Sequence, residues 1–389
     1  MTQLETLIQT LCPNGVHWSS VNDLIKQKIV HTVSASIKLK RNDYLTEGAT
    51  PIISQEEEFI SGYTNVTDKN ITEREYVCFG DHSEHIKFID FAFVQGADGL
   101  KIMYCNQDAL SAKYFYYAVY NFYKKHCNYE RHFKYLQELQ IPLPPLAVQS
   151  EIVRVLDKFT LHKAELAAEL AARLRQYEYY RDQLFTFDDT VKRVKLGEVA
   201  EIIRGGNFQK KDFVEEGLPC IHYGQIYTKY GTSSDKCLTY LHKEVFNKSK
   251  HAECGDIVMA VTSENIDDVC KCVAWMGKEK IAVSGHTAII KHKQNPKYFA
   301  YYFQTLDFRK QKIKLAHGTK VIEVTPKTLE DILIPLPSLS EQERIVSILD
   351  RFDKLCHDIR EGLPAEIELR QKQYEHYRDR LLTFRQLGD

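Results

Sequence analysis

Side chains suited to gripping or reading another molecule concentrate in four short segments of the second half of the chain. The segment Arg204-Gly205-Gly206-Asn207-Phe208-Gln209-Lys210-Lys211 is basic and glycine-rich. Arg, Asn and Gln can pair two hydrogen bonds with a guanine or adenine edge, Lys can neutralise phosphate, and Gly lets backbone come close. His222-Tyr223-Gly224-Gln225 and Ser284-Gly285-His286-Thr287 follow strand-like runs, and Ala316-His317-Gly318-Thr319-Lys320 precedes a proline-rich stretch. One such loop alone reads as ordinary solvated surface. Four in one block, with 23 Lys+Arg against 17 Asp+Glu over residues 191–333, describe a local positive face able to meet duplex DNA. The first half is less explicit, with 14 Lys+Arg against 16 Asp+Glu over residues 17–140. Its best basic stretch is 37–42, with Lys38, Lys40 and Arg41; Tyr129-Glu130-Arg131-His132 occupies the place of the Gly318 loop in the other half. His82 and His85 flank a turn and read as surface histidines.

Catalysis is poorly supplied. The nearest approach to an adenine-methyltransferase motif is Asn295-Pro296-Lys297-Tyr298, which lacks the second proline and reads as the start of a helix. No phosphate-binding glycine loop is evident. The ten cysteines include no Cys-x-x-Cys pair, so free, mostly buried thiols are expected, with no metal site. The net charge of −1 excludes a generally basic chain. No apolar run of about 18 residues suggests a membrane span, and MTQLETLIQTLCPNG does not resemble a secretory leader. A cytoplasmic location is the expectation.

The elements that must position these loops are marked by a repeat. IPLPPLAVQSEIVRVLDKF (141–159) and IPLPSLSEQERIVSILDRF (334–352) match at 11 of 19 positions; QYEYYRDQLFTF (176–187) and QYEHYRDRLLTF (373–384) match at nine of twelve. Lys113-Tyr114-Phe115 is echoed by Lys297-Tyr298-Phe299. In each copy prolines enforce an extended lead-in, and a long amphipathic helix follows. In the first copy its apolar stripe runs Ile152, Val155, Leu156, Phe159, Leu166, Leu170, Leu174, Tyr177 and Leu184. A stripe that long needs a partner, and the other copy is the obvious one, as an antiparallel coiled coil. Ser340 and Glu343 read as a capping box opening the second helix, and Gly362-Leu363-Pro364 predicts a break in it. Between the helices lie two mixed blocks. Strands are expected near 76–79, 91–94, 256–261 and 288–290, with helices at Ala112–Lys125 and Pro296–Leu315.

The duplicated proline lead and helix ends, with Leu11-Cys12-Pro13-Asn14-Gly15-Val16 and Val194-Lys195-Leu196-Gly197-Glu198-Val199, resemble the specificity subunits of Type I restriction–modification systems over essentially the whole chain. The resemblance implies an α+β fold: two α/β target-recognition domains in pseudo-twofold arrangement, joined by two long antiparallel helices. The expected domains are 1–140 and 191–333, with spacer helices in 141–190 and 334–389. It implies a non-catalytic subunit whose recognition domains each read half of a bipartite DNA site. The helices would set the gap and dock two modification (methyltransferase) subunits, with restriction (motor–nuclease) subunits added. S-adenosylmethionine, ATP and Mg would belong to those partners. By position, recognition carries over to Arg204, Asn207, His222–Gln225, His286 and Gly318–Lys320. The first block lacks the Lys-Leu-Gly-Glu opening and the Gly-Gly loop. A coiled-coil scaffold making only protein contacts is the competing reading.

Overall fold

The computed structural model describes residues 3–35, 38–66, 70–96, 99–357 and 362–388. The chain forms two compact units, Met1–Glu165 with Glu368–Asp389, and Leu166–Ile367.

The first unit begins with α1 (Gln3–Leu11), β1 (His17–Ser20) and α2 (Val21–Lys26). Its main sheet runs β2 (Val30–Val33), β8 (Leu100–Cys105), β5 (Tyr76–Gly80), β6 (Ile86–Ile89), all antiparallel. A smaller sheet has the order β4 (Gly62–Thr64), β3 (Thr50–Ile53), β7 (Val94–Gln95), with β3 and β7 parallel. Helices α3 (Ala112–Phe122) and α4 (Phe133–Glu138) lead to β9 (Gln140–Leu143), which pairs back on β1. Helix α5 (Leu146–Leu184) follows, 39 residues without interruption.

The second unit repeats this order with elaborations. Strand β10 (Arg193–Lys195) and α6 (Leu196–Val199) open it. The main sheet is β11 (Ala200–Arg204), β21 (Thr287–His292), β17 (Ile257–Ala260), β19 (Cys272–Trp275), β14 (Ser233–Ser234). The second sheet is β12 (Phe213–Val214), β15 (Thr239–Leu241), β13 (Leu218–Ile221), β20 (Ile281–Val283), β16 (Lys250–Ala252), with β13 and β20 parallel. Helices α7 (Tyr223–Thr228) and α8 (Lys243–Lys248) and the ribbon of β18 (Thr262–Ser263) with β22 (Ile322–Glu323) are added. Then come α9 (Pro296–Tyr302), α10 (Leu306–Leu315), α11 (Pro326–Leu329), β23 (Leu333–Pro335), which pairs with β10, and α12 (Leu339–His357). Helix α13 (Leu363–Leu382) completes the chain's regular structure.

Each main sheet is apolar on both faces because it is covered twice. In β5, Val77 and Phe79 join the core under α2 and α3, whereas Tyr76 and Cys78 join the cluster beneath the smaller sheet. In β17, Ile257 and Met259 pack with the α9 aromatics, and Val258 and Ala260 pack with Trp275 and Ile281. The two-residue alternation of a strand sorts these side chains.

The duplicated segments make duplicated joints. Buried Gln149 accepts from Ser111 N (2.9 Å) and donates to Pro144 O (2.8 Å). Buried Gln342 accepts from Asn295 N (3.0 Å) and donates to Pro337 O (3.0 Å). Tyr114 and Tyr298 donate to Pro142 O and Pro335 O, and Tyr117 and Tyr301 to Asp157 and Asp350. Lys113 and Lys297 pair with the same two aspartates at 2.8 Å. The two copies thus fasten a tyrosine-rich helix to a long helix through the same polar set.

The long helices pair antiparallel within each unit. In the first, Phe159 stacks on Tyr377 at 5.2 Å, and Lys163, one turn on, donates to Gln371, earlier in α13. In the second, Tyr180 stacks on Phe352 at 5.9 Å, while Leu170, Leu174 and Tyr177 pack into the core shared with Ile345, Leu349 and Cys356.

Three expectations are corrected. The cap of α12 is Ser338, which accepts from Glu341 N at 3.3 Å; Ser340 only hydrogen bonds Ser338, and Glu343 accepts from Asn295. The helix expected across Pro296–Leu315 is two helices, because Thr305 caps a new one by accepting from Phe308 N. The strand expected at 91–94 shrinks to Val94–Gln95 with a bridge at Phe93. The predicted break at Gly362–Pro364 falls where α12 ends at His357 and α13 starts at Leu363; residues 358–361 lie outside the described set.

Candidate nucleic-acid interface

In the second unit the four polar loops converge. Arg204, at the end of β11, donates to Gly285 O at 3.1 Å and pairs with Glu323 at 3.0 Å. Asn207 is exposed, its Oδ1 within 3.0 Å of a Cβ built on Gly285. His286 is exposed, hydrogen bonded to Thr262 Oγ1 at 3.1 Å, its ring 4.9 Å from Tyr223. The Tyr223 ring in turn lies 4.4 Å from His222. Thr262 pairs with Glu323 in the ribbon, which carries the loop holding exposed Thr319 and Lys320. Gly318, at φ +103°, makes that turn where an added Cβ would run into the Val321 carbonyl. Gln209, Lys210 and Lys211 are exposed on a single 3-10 turn, pinned by Gln209 N donating to Asp212 at 2.8 Å.

Several predicted contacts take other roles. The Gly205-Gly206 pair is not an opening for phosphate. A Cβ on Gly205 would strike the Ser284 carbonyl, and one on Gly206 would lie 2.8 Å from Lys250 N, so both glycines serve close backbone packing. Thr287 is fully buried, donating to Ser284 O at 2.5 Å. Gln225 turns back as a cap, accepting from His222 N (3.0 Å) and Thr239 Oγ1 (3.3 Å). His222 is buried and accepts from Gly224 N; burial, then Lys210 and His286, push its pKa down to about 4, so it is neutral at pH 7.

The first unit presents an equivalent place that its sequence concealed. Asp81 N donates to Gly99 O as Val261 N donates to His286 O, and His132 N donates to Asp81 O as Val324 N donates to Val261 O. The missing Lys-Leu-Gly-Glu opening is supplied by Ser20-Val21-Asn22-Asp23: Val21 N donates to Leu139 O as Leu196 N does to Ile332 O. The missing Gly-Gly loop has a counterpart in Lys38–Asp43, where buried Leu39 matches Phe208 and Lys40 N donates to Asp43 as Gln209 N does to Asp212. Lys38 and Arg131 line one cleft of about 490 Å³ with His82 and Lys101. Lys40 is exposed, and Arg41 pairs with Glu56 at 3.2 Å. His132, predicted as a contact, is fully buried, its two ring nitrogens hydrogen bonded to Asp81 O (3.1 Å) and Asn128 (2.7 Å), and cannot reach a base edge. Lys101 was missed because only the β8 register shows it facing the cleft.

Among the described residues, Glu84, His126 and His132 form one cluster of metal-ligating type, with ligand atoms within 4.8 Å of one another. Its hydrogen bonds already use those atoms. Glu84 accepts from His126 N, Cys127 N, Tyr123 Oη and His126 Nδ1, and both His132 nitrogens are hydrogen bonded elsewhere, to Asp81 O and Asn128. Burial alone would raise the Glu84 carboxyl; those donors hold it at about 2.

A duplicated α/β unit, with polar and basic loops gathered at matching places, defines a double-headed recognition protein. The family described as Type I restriction modification DNA specificity domain matches residues 23–176 and 188–369. The EcoR124I/EcoR124II specificity subunit of Escherichia coli is 32% identical over 409 residues, covering 99% of this chain and 98% of that one. The fold is that of the Type I S subunit from M. genitalium (TM-score 0.54, 16% identity, 95% and 96% of the two chains). A chain from a structure of a type I R-M system in complex assembly and conformational transition also matches (TM-score 0.61, 15% identity, 95% and 98%). The chain belongs to the family of type I restriction–modification DNA specificity subunits. These are the sequence-recognition, non-catalytic components of type I systems and work as parts of multisubunit complexes. Among the described residues no helix is long and apolar enough to cross a membrane.

Proposed function

We propose that each unit reads one half of a split DNA site, the second through Asn207, Tyr223, His286 and the Thr319–Lys320 loop, with Lys210 and Lys211 on phosphate. The observation that carries this is the convergence of separate polar loops at equivalent hydrogen-bonded positions in both units. Base-edge contacts specify and phosphate contacts position. Helix α5 sets the gap between half-sites, and the long helices dock two modification subunits, with restriction subunits joining the complex in the cytoplasm. S-adenosylmethionine, ATP and Mg act in those partners.

The test is DNA binding and methylation mapping of the chain with its modification partner. Affinity for duplex DNA should fall steeply with salt. Lys210→Ala or Lys320→Ala should weaken binding across sequences and reduce the salt slope by about one, while Asn207→Ala relaxes one part of the methylated motif. Salt-insensitive or absent DNA affinity would favour the scaffold reading instead.

A further inference from the structure

Tyr129 is 92% exposed, an extreme position for a large aromatic side chain. It is nevertheless not loose: its ring stacks on His82 at 5.4 Å and 16°, and His82 Nδ1 donates to Glu130 O at 3.0 Å. The segment around it has no regular secondary structure between α3 and α4, yet it is fastened at both ends. On one side the Glu84 carboxylate takes the backbone N–H groups of His126 and Cys127 at 2.8–3.0 Å. Both Glu84 (φ 57°) and Cys127 (φ 56°) hold left-handed backbone, uncommon outside glycine. On the other side His132 N donates to Asp81 O (2.8 Å) and Phe133 N to the Asp81 carboxylate (2.9 Å). Four residues are thus held up on a clamp of two buried carboxylates. Next to Tyr129, Arg131 faces the cleft that Lys38 and Lys101 share, and it has no acidic partner among the described residues.

From this geometry we infer that the Asn128–Arg131 loop is the specificity-determining element of the first unit, with Tyr129 and Arg131 touching DNA and Glu84 as a positioning residue. The inference rests on the proposed reading of DNA by both units and adds which residues read the first half-site. A flat exposed ring prestacked on an imidazole presents an apolar face to a thymine methyl or deoxyribose. An unpaired guanidinium beside it can donate two hydrogen bonds to guanine. Lys101, paired with Asp81 at 3.4 Å and lying over the Phe133 ring at 5.6 Å, stands on the cleft wall, placed for phosphate. A preset loop reads with less ordering cost than a flexible one.

The experiment is methylation mapping and duplex binding with the full chain and its modification partner, for wild type and for Tyr129→Ala, Arg131→Ala, Lys101→Ala and Glu84→Gln. Asn207→Ala marks the part of the motif belonging to the second unit. Tyr129→Ala and Arg131→Ala, at exposed positions, should each lower discrimination about tenfold or more at the other part of the motif and leave the Asn207 part intact. Lys101→Ala should weaken binding to all sequences and reduce the salt slope by about one. Glu84→Gln should relax the same part as Tyr129→Ala while leaving the second part unchanged, an outcome that general loss of fold would not give. Unaltered motifs for both Tyr129→Ala and Arg131→Ala, or relaxation of the Asn207 part, would overturn the inference. Loss of motif-directed methylation by the wild type would instead remove the DNA-reading proposal beneath it.

Discussion

Two histidines in the second unit carry a pH signature. Burial pushes His222 and His292 down to about 4, from 6.5. Between those values the unfolded chain takes up protons that the folded chain does not, so their stabilisation is present above pH 6.5 and is lost as pH falls toward 4. From pH 7 to 5 that is about 2 kcal/mol for each. In the first unit, Glu84 loses its contribution only as pH falls from 4.5 toward 2. The two tryptophans, Trp18 and Trp275, report one unit each. In urea melts of single-tryptophan variants, the Trp275 midpoint should drop more steeply between pH 7 and 5 than the Trp18 midpoint; the reverse order would refute this assignment. At this scale the sequence was readable for residue type but not for direction. His132 and Thr287 have the chemistry of DNA contacts, yet their neighbours Asp81 and Ser284 turn them inward. Gly205 suggests freedom for a ligand in the sequence, whereas in the fold it answers a demand of packing against the Ser284 carbonyl. Gly205→Ala should therefore destabilise the protein by about 1–3 kcal/mol through overpacking, measured by denaturant unfolding.

The elements were the most legible level. The proline leads, the long helix and the strands at 76–79 and 288–290 follow from periodicity and turn chemistry that tertiary structure reinforces. What failed was local: the cap of α12 and the length of the helix after Pro296 depend on which hydroxyl lies over the free N–H groups, and several Ser and Thr residues compete for that place. Ser338→Ala should cost about 1 kcal/mol while Ser340→Ala costs little, because only Ser338 caps the helix. The joints predict a larger effect. Gln342→Leu strands Asn295 N and Pro337 O in a buried site, and should cost about 2–4 kcal/mol, with Gln149→Leu behaving alike in the first unit. A duplicated sequence that fastens both copies through one hydrogen-bond set should respond to the same lesion twice. Equal and small losses would mean that the glutamines are ornamental.

For the whole molecule, duplication mounts two unlike variable blocks on like joints, which on the proposed reading lets one chain treat an asymmetric target. The sequence showed this plan through its repeat and its family resemblance. It hid the equivalence of the first block's loops, because hydrogen-bond register rather than residue identity preserves them. Such a plan separates what is read from how far apart the readings lie. On the proposed reading the recognition loops set the first, and α5, uninterrupted over 39 residues, sets the second. Four residues inserted after Leu170 would lengthen α5 by about 6 Å. The decisive measurement is methylation mapping across a genome in cells carrying this insertion with the modification partner. A changed gap between two unchanged half-sites is the expected result. A changed half-site with a constant gap would contradict the division of labour between loops and helix.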